Sequence, residues 1–145
     1  MGLIEACRGR QVYLDTNIFI HAVEGLSEHM PVLRPLFELL ASGGASAVTS
    51  ELTLAEVLPR PLATSRTDIA FIYERMPATS AWLAVVPVSR AVLVDAVHLR
   101  ASSGLRLPDA IHVATALAAD CSILLSNDSR RKVPDVLQLF ALADD

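Results

Sequence analysis

The stretch Gln11-Val12-Tyr13-Leu14-Asp15-Thr16-Asn17-Ile18-Phe19-Ile20 joins two apolar patterns across one acidic residue. Before Asp15 the run is short and continuously apolar, as in a strand buried on both faces. After it, apolar side chains over residues 17–23 recur at helical spacing, and either Asp15 or Thr16 can cap that helix. A strand that ends on an acid and turns at once into a helix is the start of a βαβ unit.

The alternation continues along the chain. Residues 31–40 read as a helix, with Pro31 suited to its first turn and Gly43-Gly44 ending it. Residues 45–49 read as a strand, after which Ser50 caps a helix through Leu58 that Pro59 and Pro61 break. A helix is expected over 68–76, a valine-rich strand over 83–88, and a helix from Ser89 to near Gly104. Pro108 starts another helix through Ala119; 123–125 is a strand, 126–129 a polar turn, and 136–140 the last strand. No repeat, low-complexity tract or linker interrupts the pattern, so residues 1–145 read as one domain. The fold class is α/β, with a mainly parallel sheet covered on both faces and a ligand site at the carboxyl ends of its strands.

Composition narrows the function. With 52% hydrophobic and 19% charged residues, the chain is not disordered. Its mean hydropathy of +0.44 implies either a membrane span or apolar surface committed to both a core and a partner interface. A span needs about 20 uninterrupted apolar residues. The richest runs, 110–119 and 82–88, are shorter and contain His112 or Pro87, so the interface reading stands. Residues 1–10 carry Glu5, Arg8 and Arg10 and no apolar signal core, so a cytoplasmic location is expected. Cys7 and Cys121 have no metal-ligand spacing and read as idle thiols. The net charge of −4 argues against a general nucleic-acid coat. It does not exclude a nuclease, where a bound cation and local arginines supply the positive field.

Four acids carry the chemistry. Asp15 directly follows its strand, and Glu56 lies in the otherwise almost wholly apolar Leu52-Thr53-Leu54-Ala55-Glu56-Val57-Leu58. Asp109 follows Pro108 at a helix start, and Asp128 follows Asn127 in the turn after Ile123-Leu124-Leu125. Each has an ordinary structural role open to it: Asp15 a helix cap, Glu56 a pair with Arg60, Asp109 a dipole partner, Asp128 a turn former. Their placement nevertheless brings all four towards one edge of the sheet. Carboxylates gathered there would repel by about 4 kcal/mol per pair at 4 Å and an effective dielectric of 20. They would have to protonate, spread apart or bind a cation, and oxygen ligands without cysteine favour Mg²⁺ or Mn²⁺. Few carboxylates and several waters leave room for phosphate oxygens, the arrangement of metal-assisted phosphodiester hydrolysis.

The motifs are similar to those of a known family. Val12-Tyr13-Leu14-Asp15-Thr16-Asn17 resembles the opening motif of PIN domains, and Thr53-Leu54-Ala55-Glu56 their second acidic motif. Leu107-Pro108-Asp109-Ala110-Ile111-His112-Val113-Ala114 resembles the third, and Leu125-Ser126-Asn127-Asp128 the fourth, in family order. The pattern looks most like VapC-type toxins of toxin–antitoxin pairs. The resemblance implies a three-layer α/β/α sandwich, Mg²⁺- or Mn²⁺-dependent endoribonuclease activity, a homodimer and an antitoxin partner.

On this reading Asp15, Glu56 and Asp109 hold the metal, directly or through water, and Asp128 completes the site or orients the attacking water. Thr16 and Asn17 support the acids by hydrogen bonds, and Arg130, Arg131 and Lys132 meet RNA phosphates or form a solvated turn. His112, one turn after Asp109, reads chiefly as a satisfied core or interface histidine. An aspartyl phosphotransferase is disfavoured because Asn17 stands where such sites place a second aspartate. The remaining rivals are a stand-alone RNA-processing nuclease and a non-catalytic RNA- or partner-binding module, the latter opposed by the presence of all four acids.

Overall fold

The computed structural model describes residues 2–25 and 28–142. Five strands, β1 (Gln11–Leu14), β2 (Ser46–Ser50), β3 (Leu83–Val86), β4 (Ile123–Ser126) and β5 (Gln138–Ala141), form one sheet in the order β3-β2-β1-β4-β5. Every pairing is parallel. The eight helices among the described residues are α1 (Leu3–Cys7), α2 (Thr16–Glu24), α3 (Met30–Ala41), α4 (Glu51–Val57), α5 (Pro59–Ala63), α6 (Thr67–Thr79), α7 (Arg90–Ser103) and α8 (Leu107–Ala118).

Strand pleating divides the core in two. Val12, Leu14, Ala47, Ile123 and Leu125 pack on one face with Ile18 and Phe19 of α2 and Leu33, Leu36 and Leu40 of α3. Tyr13, Val48 and Leu124 point to the other face and meet Val113 and Ala116 of α8. Helix α7 then covers α8 through Val92 and Ala96 against Ala110, Ile111 and Ala114. Helices on both faces of a parallel sheet make the expected α/β/α sandwich. The apolar stripes of α2 and α3, which suit a core or a partner groove equally in sequence, are used here for the core.

Local chemistry sets the element ends. Ser50 Oγ accepts from Leu52 N at 3.0 Å and Ser89 Oγ from Val92 N at 3.2 Å, satisfying orphan amides of α4 and α7. Gly104 ends α7 with φ 74°, a left-handed cap that other residues adopt at a cost. Several boundaries differ from expectation. The third strand stops at Val86 because Pro87 has no amide to donate, and the last begins at Gln138, two residues later than read. Pro59, taken as a breaker, also starts α5 from its first turn. None of the helices among the described residues is long and apolar enough to cross a membrane.

Candidate active site at the carboxyl edge of the sheet

Strand order reverses direction at β1, which has β2 on one side and β4 on the other. In open α/β sheets this is where a crevice opens at the carboxyl ends, and the chain places its acids around it. Asp15 caps α2 immediately after β1, its Oδ1 accepting from Thr16 N at 2.9 Å. Its other oxygen, Oδ2, accepts from Ser126 Oγ at the end of β4, also at 2.9 Å. The carboxylate is only 3% exposed, so its charge requires these partners.

Asp109 enters from the first turn of α8, where the helix dipole favours an acid. Arg131, from the loop after β4, links the two aspartates. Its Nη1 lies 2.7 Å from Asp15 Oδ2 and its Nη2 donates to Asp109 Oδ1 at 2.8 Å. Arg106 adds a second, exposed contact, Nε to Asp109 Oδ2 at 3.3 Å. Two carboxylates from different elements thus converge on a single cation.

Glu56 is held by a different set of bonds. His112 Nε2 lies 2.6 Å and Thr16 Oγ1 2.7 Å from Glu56 Oε1, and the same His112 nitrogen is 3.8 Å from Asp15 Oδ1. On the other side of the ring, His112 Nδ1 is 2.6 Å from the Tyr13 hydroxyl. Burial and the nearby charge of Asp15 push the Tyr13 hydroxyl well above the usual tyrosine range, so it stays protonated and donates. In the neutral ring Nδ1 therefore accepts, and the Nε2 proton points at Glu56. Burial pulls the Glu56 carboxyl upward, but hydrogen bonds from His112 and Thr16, with the charge of Arg131, hold it below the usual glutamate range. Glu56 is thereby an oriented carboxylate.

Asp128 makes its hydrogen bonds within the loop after β4 and the end of that strand. Its Oδ1 accepts from the backbone and side chain of Arg130 at 2.9 and 3.4 Å, and the backbone bond chiefly holds its carboxyl low. Its own amide donates to Ser126 Oγ at 3.1 Å, so Asp128 shapes the loop beside the site. Of the supporting residues, Thr16 bonds Glu56, while Asn17 is exposed on α2 with no side-chain bond among the described residues. Of the three basic residues expected at RNA, Arg130 faces solvent beside Asp128 and Lys132 Nζ reaches Ser103 O at 3.3 Å. Arg131 is turned inward, its side chain 7% exposed.

As they stand, no three histidine, cysteine or acidic side chains among the described residues lie close enough together to hold a metal. The donor set nevertheless fits one. Asp15 and Asp109 already share a positive charge, both offer hard oxygens, and Mg²⁺ is commonly held by one or two carboxylates with water and phosphate completing the shell.

Three contributors went unread in the sequence: Ser126 as a partner of Asp15, Tyr13 as the anchor of His112, and Arg131 as the link between acids. A partial signal was present for one pair. Tyr13 in an apolar strand and His112 in an apolar helix each need a polar partner when buried, and each supplies the other's.

The chain is similar to several solved structures. A toxin–antitoxin complex from Klebsiella pneumoniae has 20% identity and a TM-score of 0.62, covering 87% of this chain and 94% of that one. VapBC2 from Rickettsia felis, bound to a promoter DNA fragment, has 17% identity and a TM-score of 0.64, covering 90% and 98%. DNA-bound VapBC from Salmonella typhimurium has 17% identity and a TM-score of 0.65, covering 92% and 98%. At such identities the likeness concerns the fold. No curated protein matches the sequence. The family model of the PIN domain matches residues 12–136, which include all four acids, β1 from Val12 on, and the whole of β2, β3 and β4. The chain belongs to the PIN domain family.

Proposed function

We propose that this protein is a Mg²⁺- or Mn²⁺-dependent endoribonuclease and the toxin of a toxin–antitoxin pair. The observation that carries the reading is the convergence of Asp15 and Asp109 on one cation at the β1–β4 crevice of a PIN domain. Asp15 and Asp109 would hold the metal, with Glu56 reaching it directly or through water and Asp128 contributing from the adjoining loop. When bound, such an ion lowers the pKa of a coordinated water and stabilises charge on the phosphate.

The chain's own residues do the rest. Ser126 and the α2 amide fix the Asp15 carboxylate, and His112 and Thr16 fix that of Glu56. Glu56, held as an oriented carboxylate, would take a proton from the attacking water. Arg130 and Lys132, exposed on the neighbouring loop, supply positive charge for RNA phosphates.

The likeness to the toxin–antitoxin complex from Klebsiella pneumoniae supports a protein partner. An antitoxin partner is therefore part of the proposal; the homodimer and the cytoplasmic location are carried over from the resemblance to VapC-type toxins. Exposed apolar side chains, Leu93, Val94 and Val97 on α7 among them, support the use of apolar surface at an interface. The experiment is incubation of purified protein with structured RNAs, with and without Mg²⁺ or Mn²⁺. Asp15→Asn should abolish metal-dependent cleavage and leave the fold intact, whereas equal cleavage by wild type and variant defeats the proposal. A short neighbouring gene encoding a DNA-binding fold with a disordered tail would support the toxin role. Its absence would favour a stand-alone RNA-processing nuclease.

A further inference from the structure

Arg131 presents an anomaly. Its side chain is only 7% exposed, yet neither Nε nor Nη1 has a hydrogen-bond partner among the described residues. Nη1 is 2.7 Å from Asp15 Oδ2, so that contact has the distance of an ion pair without the alignment of a hydrogen bond. Only Nη2, on Asp109 Oδ1 at 2.8 Å, is well placed. A buried guanidinium with two unsatisfied groups is held mainly by charge, and burial of unsatisfied donors opposes its staying there.

Arg131 is carried by an irregular loop. Residues 127–137 contain neither helix nor strand, and Arg131 is fixed on its backbone by a 3.3 Å bond from its amide to Asp128 O. Its neighbours Arg130 and Lys132 are exposed. The segment can therefore turn the Arg131 side chain outward without disturbing the sheet.

We infer that Arg131 is a built-in counter-cation of the Asp15–Asp109 pair, and that a divalent metal ion binds there by displacing it. The inference rests on the metal-site reading above and adds that loading is a competition within the chain. With no divalent ion, the guanidinium neutralises part of the acid charge. As the ion takes the carboxylates, Arg131 is released towards solvent beside Arg130, on the side from which a phosphate would approach. Metal affinity is lowered by the strength of the internal ion pair, so loading shifts to a higher ion concentration.

Two measurements test this. Mn²⁺ binding to wild type and Arg131→Gln is followed by titration calorimetry and by the loss of the free-ion electron paramagnetic resonance signal. The variant should bind at least tenfold more tightly, and equal or weaker binding overturns the competition. Separately, wild-type protein is treated with phenylglyoxal with and without Mn²⁺ and the modified arginines are mapped by mass spectrometry. Arg131 should be protected without the ion and become as reactive as Arg130 with it. Unchanged protection while Mn²⁺ binds shows that the guanidinium stays in place and also overturns the inference, even if Arg131→Gln fails to fold. Absence of Mn²⁺ binding by both proteins refutes the metal-site reading itself, and the inference with it.

Discussion

Tyr13→Phe removes one oxygen from the interior and with it the bond to His112. Tyr13 is fully buried and its hydroxyl is 2.6 Å from Nδ1 of His112, which is 1% exposed. The phenyl ring retains the packing against Val48, Val113 and Leu124. The change loses a hydrogen bond worth about 0.5–1.5 kcal/mol net and leaves a buried acceptor unsatisfied, at about 1–3 kcal/mol. The void is one hydroxyl in size, too small to hold a water. Loss of about 2 kcal/mol is therefore expected. With a urea slope of about 2 kcal/mol per molar, the unfolding midpoint should fall by about 1 M. Pairing the change with His112→Phe in a double-mutant cycle should give a coupling energy of about 1 kcal/mol or more. An additive cycle, with Tyr13→Phe costing under about 0.5 kcal/mol, would refute the claim that the tyrosine fixes the imidazole.

Other outcomes follow from the same structure. Leu125→Ala, at a fully buried β4 position, should cost about 2–5 kcal/mol in chemical denaturation, the usual range for a core leucine. Ser50→Ala removes the α4 cap and should cost about 0.5–2 kcal/mol, a smaller loss in the same assay. Burial pushes the thiols of Cys7 and Cys121 up to about 11 from an ordinary 9.0. The folded state thus holds these protons more tightly than the unfolded one, so stability should be insensitive to them below pH 9 and fall as pH rises from about 9 to about 11. Native protein should also resist thiol reagents at pH 8 and react once unfolded; fast labelling of the native state contradicts the burial.

How much was legible depends on whether the controlling contacts are local. The strand at 11–14, the caps at Ser50 and Ser89 and the stop at Gly104 are set by neighbours in sequence, and all appear where the residues place them. Helix α1 was missed because five residues with no side-chain cap carry too little local signal; burial of Leu3, Ala6 and Cys7 against the core holds it. Pro77 was no guide to the end of α6, which runs on to Thr79. In the site, the meeting of Asp15 with Asp109 was expected from strand and helix ends. The loop's folding of Arg131 inward and Asp128 outward was not, because consecutive basic residues offer no pattern that says which one turns in. His112 was legible as buried, yet its bond to Glu56 joins positions 56 residues apart.

The chemical identity of the RNA ends tests the central claim most directly. Products formed with Mn²⁺ or Mg²⁺ would be analysed by ligation and by mass spectrometry. Hydrolysis by an activated water at the Asp15–Asp109–Glu56 edge predicts 5′-phosphate and 3′-hydroxyl ends, absent when EDTA is added and absent with Asp15→Asn. Ends bearing a 2′,3′-cyclic phosphate, formed equally in EDTA, would mean that the RNA's own 2′-hydroxyl attacks and that the acids do not serve a metal-activated water.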